Sequence, residues 1–228
     1  MWLIAAAALA EQPLSAGLHE LTLAMNDKQH RYTVVLPEDP TKRGKKVPVI
    51  VALHYGGHGA PHYATGFVRT LIEPGLSSLG AIVIAPDCPA DSWAQPVSQA
   101  VVLSLLDHAI EAWNGDPDRV LVTGYSLGAM GTWALADAHP TRFAAALPVA
   151  GNPGKHAATI RVPTYAIHGE KDALIPPAPS AKAIRSLKAR GVEAFWVELA
   201  ALTHYETGRY APALEAAIPW IQRQLKLD

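Results

Sequence analysis

The sequence predicts an α/β fold: a mainly parallel central sheet with helices on both faces, preceded by an antiparallel N-terminal hairpin. Three observations lead there. Two β-like runs, Leu18 to Met25 and Arg31 to Leu36, flank Asn26-Asp27-Lys28, the pattern of a hairpin. Continuous apolar runs such as Val47 to Leu53 (VPVIVAL) and Ala81 to Ala85 (AIVIA) suit strands covered on both faces. From Val47 onward such runs alternate with helical patterns, which implies right-handed crossovers and parallel strands.

The elements follow in order. Pro37 to Lys46 is a polar, turn-rich connector, and the apolar run Val47 to Leu53 follows it. A Gly-rich loop leads to a helix around Ala64 to Leu71, and Pro86 stops the strand Ala81 to Ala85. Ser98 to Trp113 carries Val101, Leu105, Ala109 and Trp113 at fourfold spacing, an amphipathic helix. Asn114-Gly115-Asp116-Pro117 ends it. A short strand Arg119 to Thr123 and a helix Leu127 to Ala138 come next, then strands Phe143 to Val149 and Val162 to Ile167. Ser180 to Arg190 is a helix stopped by Gly191, Ala194 to Leu199 a strand, and Ala211 to Leu225 a closing helix. With no internal repeat or linker, the reading is one catalytic domain over residues 18–228, after an N-terminal segment 1–17.

Composition narrows the function classes. Lys+Arg is 19 against Asp+Glu 20, a formal net charge of -1, so there is no broad basic face for nucleic acid. Lys42-Arg43 and Lys45-Lys46, beside Pro40 and Gly44, read as a solvated loop. Cys88 is the only cysteine, so neither an internal disulfide nor a cysteine-based metal site can form. Trp2 to Ala10 is apolar and Ala8-Leu9-Ala10 resembles a cleavage site, yet no Lys or Arg precedes the run. Two readings stay open: a short export signal, placing the protein in the periplasm or outside the cell, or an ordinary apolar N-terminus on a cytoplasmic protein. No stretch is long enough to span a bilayer, which takes about 20 apolar residues.

Gly124-Tyr125-Ser126-Leu127-Gly128 matches G-x-S-x-G, directly after the strand Arg119 to Thr123 and directly opening the helix Leu127 to Ala138. A sharp strand-to-helix turn would strain the serine backbone and lift its Oγ above the sheet, at the positive end of a helix dipole. A serine hydroxyl is a weak nucleophile until a base takes its proton. Ten histidines are present, so chain order must select; in this arrangement the acid and then the histidine follow the nucleophile. His139, His156, His168 and His204 follow Ser126. His204 lies in the loop between the last strand and the closing helix, where the base belongs. The acid should follow a late strand, as in His168-Gly169-Glu170-Lys171-Asp172. Asp172 is the choice and Glu170 its rival.

The oxyanion formed by attack on a carbonyl needs two backbone N–H donors. Leu127, next to the nucleophile, supplies one. The loop His54-Tyr55-Gly56-Gly57-His58-Gly59 supplies the other, from Gly56 first or Tyr55 second. His54, His58 and His62 have the i, i+4, i+8 spacing of a helical metal site, but Gly56, Gly57, Gly59 and Pro61 forbid a regular helix there, so no metal is expected. Trp93 and Tyr125 are candidate substrate-binding residues. Trp133, on the elbow helix, is read as core.

These residues resemble a known group. Gly124 to Trp133 (GYSLGAMGTW), followed by Pro140, Arg142-Phe143-Ala144-Ala145-Ala146 and Pro148, is similar to bacterial esterases and peptidases of the α/β-hydrolase superfamily, related to dienelactone hydrolases, feruloyl esterases and polyhydroxybutyrate depolymerases. The resemblance runs from Arg31 to about Ile221. It implies the α/β-hydrolase fold, a Ser-Asp-His triad and no cofactor. Members usually carry His-Gly after the third strand, where this chain has His54-Tyr55. Dienelactone hydrolases carry cysteine at the elbow, so Ser126 argues against that activity.

The expected activity is a serine esterase acting on a small-molecule ester through an acyl-enzyme. A small cap-free cleft would favour accessible acyl esters over long triglycerides. The expected form is a monomer or small homo-oligomer with no nucleic-acid or membrane partner. A serine peptidase or amidase on the same triad is the alternative, and a non-catalytic binding module the third reading.

Overall fold

The computed structural model describes residues 14–38, 44–57 and 60–227. The apolar run at residues 2–10, the Lys42-Arg43 pair and His58 lie outside the described residues.

The hairpin is β1 (Gly17–Met25) and β2 (Lys28–Leu36), paired from Gly17↔Leu36 to Met25↔Lys28. The turn is tighter than the sequence suggests: Lys28 already pairs with Met25. Asn26 and Asp27 alone turn the chain, both at positive φ, 51° and 58°. That is the two-residue geometry whose twist matches paired strands.

β3 (Val47–Leu53) follows. Its alternate residues Val47, Val49, Val51 and Leu53 join one core cluster, while Ile50 and Ala52 join a second on the other face. This is the two-period of a strand with both faces buried. The sequence predicts a helix around Ala64 to Leu71 in the next segment. It is instead α1 (Ala64–Phe67), a π-helical turn Val68–Ile72 and α2 (Glu73–Leu76). Pro74 has no N–H to return to the preceding turn; the ladder slips and Glu73 N–H donates to Val68 O, five residues back.

β4 (Ile82–Pro86) precedes α3 (Pro96–Ala112). β5 (Gly115–Tyr125) is longer than expected. Only Asn114, at φ 57°, makes the turn; Gly115 already pairs with Val47 across a bulge. α4 (Leu127–Ala138), β6 (Ala145–Val149), β7 (Thr164–Gly169), α5 (Ala178–Ala189) and β8 (Ala194–Leu199) complete the alternation. The closing helix is two: α6 (Ala211–Ala216) and α7 (Ile218–Leu225). Pro219 in the first turn of α7 cannot extend the ladder of α6.

The sheet order is β1-β2-β4-β3-β5-β6-β7-β8. β1, β2 and β4 pair antiparallel; all pairs from β4 to β8 are parallel. Residues of α3, α4 and α5 cover one face, and residues of α1, α2, α6 and α7 the other. The strand order reverses between β3 and β5, so their carboxyl ends open the crevice where open α/β sheets place chemistry. The loop after β3 and the turn after β5 meet there.

Candidate active site

At the end of β5 the chain turns into α4 at Ser126, with φ 57° and ψ −115°. This backbone state costs of order 1–3 kcal/mol and persists only where its surroundings enforce it. Ser126 N–H donates to Val149 O at 2.9 Å, and Met130 N–H to Ser126 O at 3.1 Å. Two glycines make the turn possible. A Cβ on Gly128 would overlap the carbonyl oxygen of Leu53, and one on Gly124 would overlap the backbone of Gly128.

Three side chains distant in sequence meet above this turn. His204 Nε2 lies 2.8 Å from Ser126 Oγ, and His204 Nδ1 lies 2.6 Å from Asp172 Oδ2. The carboxylate can only accept, so Nδ1 carries the proton and Nε2 is left to accept from the serine hydroxyl. Asp172 is 3% exposed and His204 6%. Asp172 Oδ1 accepts the backbone N–H groups of Leu174 at 3.1 Å and Ile175 at 2.8 Å.

The loop bearing His204 is tied at several points. Tyr125 Oη donates to His204 O at 2.7 Å, and Tyr210 Oη to Thr203 O at 3.1 Å. Thr203 gives both its N–H and its hydroxyl to Glu206 Oε2, each at 2.8 Å. Those bonds and Arg209 hold the Glu206 carboxyl below its ordinary pKa. Glu170 N–H donates to Leu199 O and Lys171 N–H to Leu202 O, both at 3.0 Å, joining the acid loop to the histidine loop. The rival acid Glu170 is exposed. Asp87, at the end of β4, instead accepts Ala64 N–H at 3.0 Å.

The loop after β3 is ordered by His54, which is 2% exposed. Cys88 N–H donates to its Nε2 at 3.0 Å, so the proton sits on Nδ1, which donates to Tyr55 O at 2.6 Å. A trans peptide points its N–H opposite to its C=O. The Gly56 N–H is thereby turned away from His54, and Gly56 faces the start of α4, where a Cβ on it would sit 4.0 Å from Leu127 Cβ. The Tyr55 ring leans on Tyr63, Phe67 and Tyr125. His54 is bonded through both ring nitrogens, and His62 Nδ1 lies 3.3 Å from Tyr32 O.

Two expected pocket residues lie behind the site instead. Trp93 is 0% exposed; its indole N–H donates to His54 O at 3.1 Å, and it packs where a Cβ on Gly131 would overlap its own. A buried indole N–H is stabilised by an acceptor, and the carbonyl of His54 supplies it here. Tyr125 is 1% exposed, its hydroxyl spent on His204 O and its pKa raised by burial. Both support the site from beneath and neither reaches its surface. Trp133 is 0% exposed in the core, as expected. From sequence, His54 had no place beyond a metal reading and His168 had none. Their signal was position: each stands at the end of a buried strand, beside the Gly-rich loop or four residues before Asp172.

A groove of about 490 Å³ lined by Lys45, Lys46, Arg119 and Lys226 among others lies at the opposite end of the parallel strands from Ser126.

A doubly covered, mainly parallel sheet with a strained serine at a strand-to-helix turn defines the α/β-hydrolase fold. The chain belongs to the dienelactone hydrolase family, which matches residues 84–199. Acetylxylan esterase A of Emericella nidulans is 32% identical over 126 residues, covering 50% of this chain and 40% of the relative. The chain thus spans well under half the length of the curated relatives it matches. Two solved structures share the fold: a thermostable esterase (TM-score 0.76, 23% identity, 90% of this chain and 62% of that one) and a ferulic acid esterase (TM-score 0.73, 17% identity, 92% and 99%). Among the described residues, no helix is long and apolar enough to cross a membrane.

Proposed function

We propose that this protein is a carboxylic-ester hydrolase, with Ser126 as nucleophile, His204 as general base and Asp172 as the residue that orients the histidine. Residues 18–228 form its catalytic domain. One observation carries the reading: the unbroken run Asp172 Oδ2 to His204 Nδ1 at 2.6 Å and His204 Nε2 to Ser126 Oγ at 2.8 Å, on a strained elbow. Membership of the dienelactone hydrolase family and a relative named acetylxylan esterase support the ester as substrate.

In this mechanism Ser126 Oγ attacks the ester carbonyl while its proton passes to His204 Nε2. Asp172 stays ionised and stabilises the imidazolium. The oxyanion is met by the backbone N–H of Leu127 and of Gly56; the peptide orientation imposed by His54 favours Gly56 over Tyr55. Collapse breaks the ester C–O bond, and His204 gives its proton to the departing alkoxide. Water, deprotonated by His204, then attacks the acyl-enzyme; the second intermediate expels Ser126 Oγ, which regains the proton as the carboxylic acid leaves.

Hydrolysis of short p-nitrophenyl esters by wild type and Ser126→Ala tests this. Turnover lost in the variant is expected. Equal turnover in both contradicts the nucleophile, and faster cleavage of chromogenic peptide amides than of short esters contradicts the ester preference.

A further inference from the structure

Asp172 has a second histidine beside it. His168, at the end of β7 and 1% exposed, places Nε2 2.8 Å from Ile175 O and 3.2 Å from Asp172 Oδ2, the oxygen that also faces His204. Both neighbours of Nε2 are acceptors, so that nitrogen must carry a proton. Its ring lies against Trp196 on β8 at 6.0 Å. Glu198 is its register partner on β8. Burial disfavours the imidazolium, partly opposed by Ile175 and Asp172. The neutral Nε2–H tautomer fits both facts.

The contacts close a ring. Ile175 N–H donates to Asp172 Oδ1 at 2.8 Å, and Ile175 O accepts from His168 Nε2. The acid loop is therefore fastened to the end of β7 through His168, and Asp172 Oδ2 stands 3.2 Å from the same Nε2. The carboxylate meets Leu174 N, Ile175 N and His204 Nδ1 on its other sides. Its plane is set by these partners, and with it the direction of Oδ2 towards His204.

We propose that His168 is a positioning residue for the reaction: a neutral imidazole whose Nε2–H fastens the Asp172 loop and aims Oδ2 at His204. This rests on the triad reading above. His168 touches no reacting atom and acts through Asp172.

Ring 15N spectra of histidine-labelled wild type test the tautomer directly, with His168 identified by the signals missing from His168→Gln. The expected result is a protonated Nε2 and a bare Nδ1 at neutral pH; a protonated Nδ1 with bare Nε2, or an imidazolium, overturns the proposal. Kinetics test the consequence. His168→Leu removes the donor and should lower kcat by about twofold to tenfold, the range for losing a neutral hydrogen bond, with KM within about twofold. His168→Gln, whose amide N–H reaches a similar place, should recover most of kcat. A His168→Leu enzyme with wild-type kcat, or a folded His168→Gln as slow as His168→Leu, overturns the proposal. Should His168→Leu not fold, the wild-type spectra and His168→Gln decide alone. A wild type inactive on every ester and unlabelled by a fluorophosphonate overturns the triad reading and this proposal together; a wrong tautomer in an active wild type overturns this proposal only.

Discussion

Tyr125, the residue before Ser126, donates its hydroxyl to the backbone carbonyl of His204 at 2.7 Å. The strand end that carries Ser126 thus also holds the loop that carries its partner. The spacing of the two side chains is fixed by one rigid element rather than by two independent loops. Tyr125→Phe keeps the ring packing against Tyr55 and Tyr210 and removes the hydroxyl that makes this bond. The expected cost is about 1 kcal/mol in stability, read as a lower Tm. It should come with a several-fold drop in kcat on a short ester. Unchanged kcat would mean the bond does not position His204.

Asp172 and Glu170 stand two residues apart and have opposite environments: buried and bonded to His204 against exposed. Asp172→Asn should lower kcat by about 10⁴, the size seen when an equivalent acid loses control of the imidazole tautomer, while Tm changes little. Glu170→Gln should leave kcat unchanged. Matched steady-state kinetics on the two variants separate the assignments, and a reversed result would move the acid to Glu170.

The elbow is governed by space. Gly128→Ala drives a Cβ into the carbonyl oxygen of Leu53, where backbone on both sides must give way. The expected loss is about 3 kcal/mol or more, above ordinary overpacking because neither partner is a movable side chain. Gly191, at φ 78° with open space around it, is the control: Gly191→Ala should cost about 1 kcal/mol from backbone strain alone. Denaturant unfolding of both variants orders them.

His168 also links stability to pH. Burial holds its pKa below the ordinary 6.5 in the folded chain, so below about pH 6.5 the unfolded chain binds more protons there. Stability from this group is complete above that value and is lost as pH falls towards the folded pKa. Asp172, His204 and Glu198 are the titratable groups around it. Tm should decline from pH 7 to pH 5, and His168→Gln should decline less over that range. Parallel curves for the two proteins would contradict the buried neutral state.

The sequence made some parts of this fold readable and hid others for physical reasons. β3, α4 and β8 have the bounds expected from the sequence, because a continuous apolar run or a glycine-flanked elbow marks both ends. The π-helical turn at Val68–Ile72 and the break at Pro219 were missed because the apolar period runs through them, while a missing N–H, at Pro74 or Pro219, interrupts only the backbone ladder. The meeting of Ser126, Asp172 and His204 was legible from chain order and strand ends. The burial of Trp93 and Tyr125 was not. Their polar tips bond to the backbone of His54 and His204, contacts that link residues 39 and 79 positions apart and leave no local pattern. His168 stands four residues before Asp172, and that position is what lets it reach around to Ile175.

Covalent labelling tests the central claim most directly. Wild type is treated with a fluorophosphonate, digested and mapped by mass spectrometry. The account expects one adduct, on the peptide holding Ser126, formed in step with loss of ester hydrolysis, and no adduct in Ser126→Ala. An adduct on another residue, or full hydrolysis by Ser126→Ala, would contradict it.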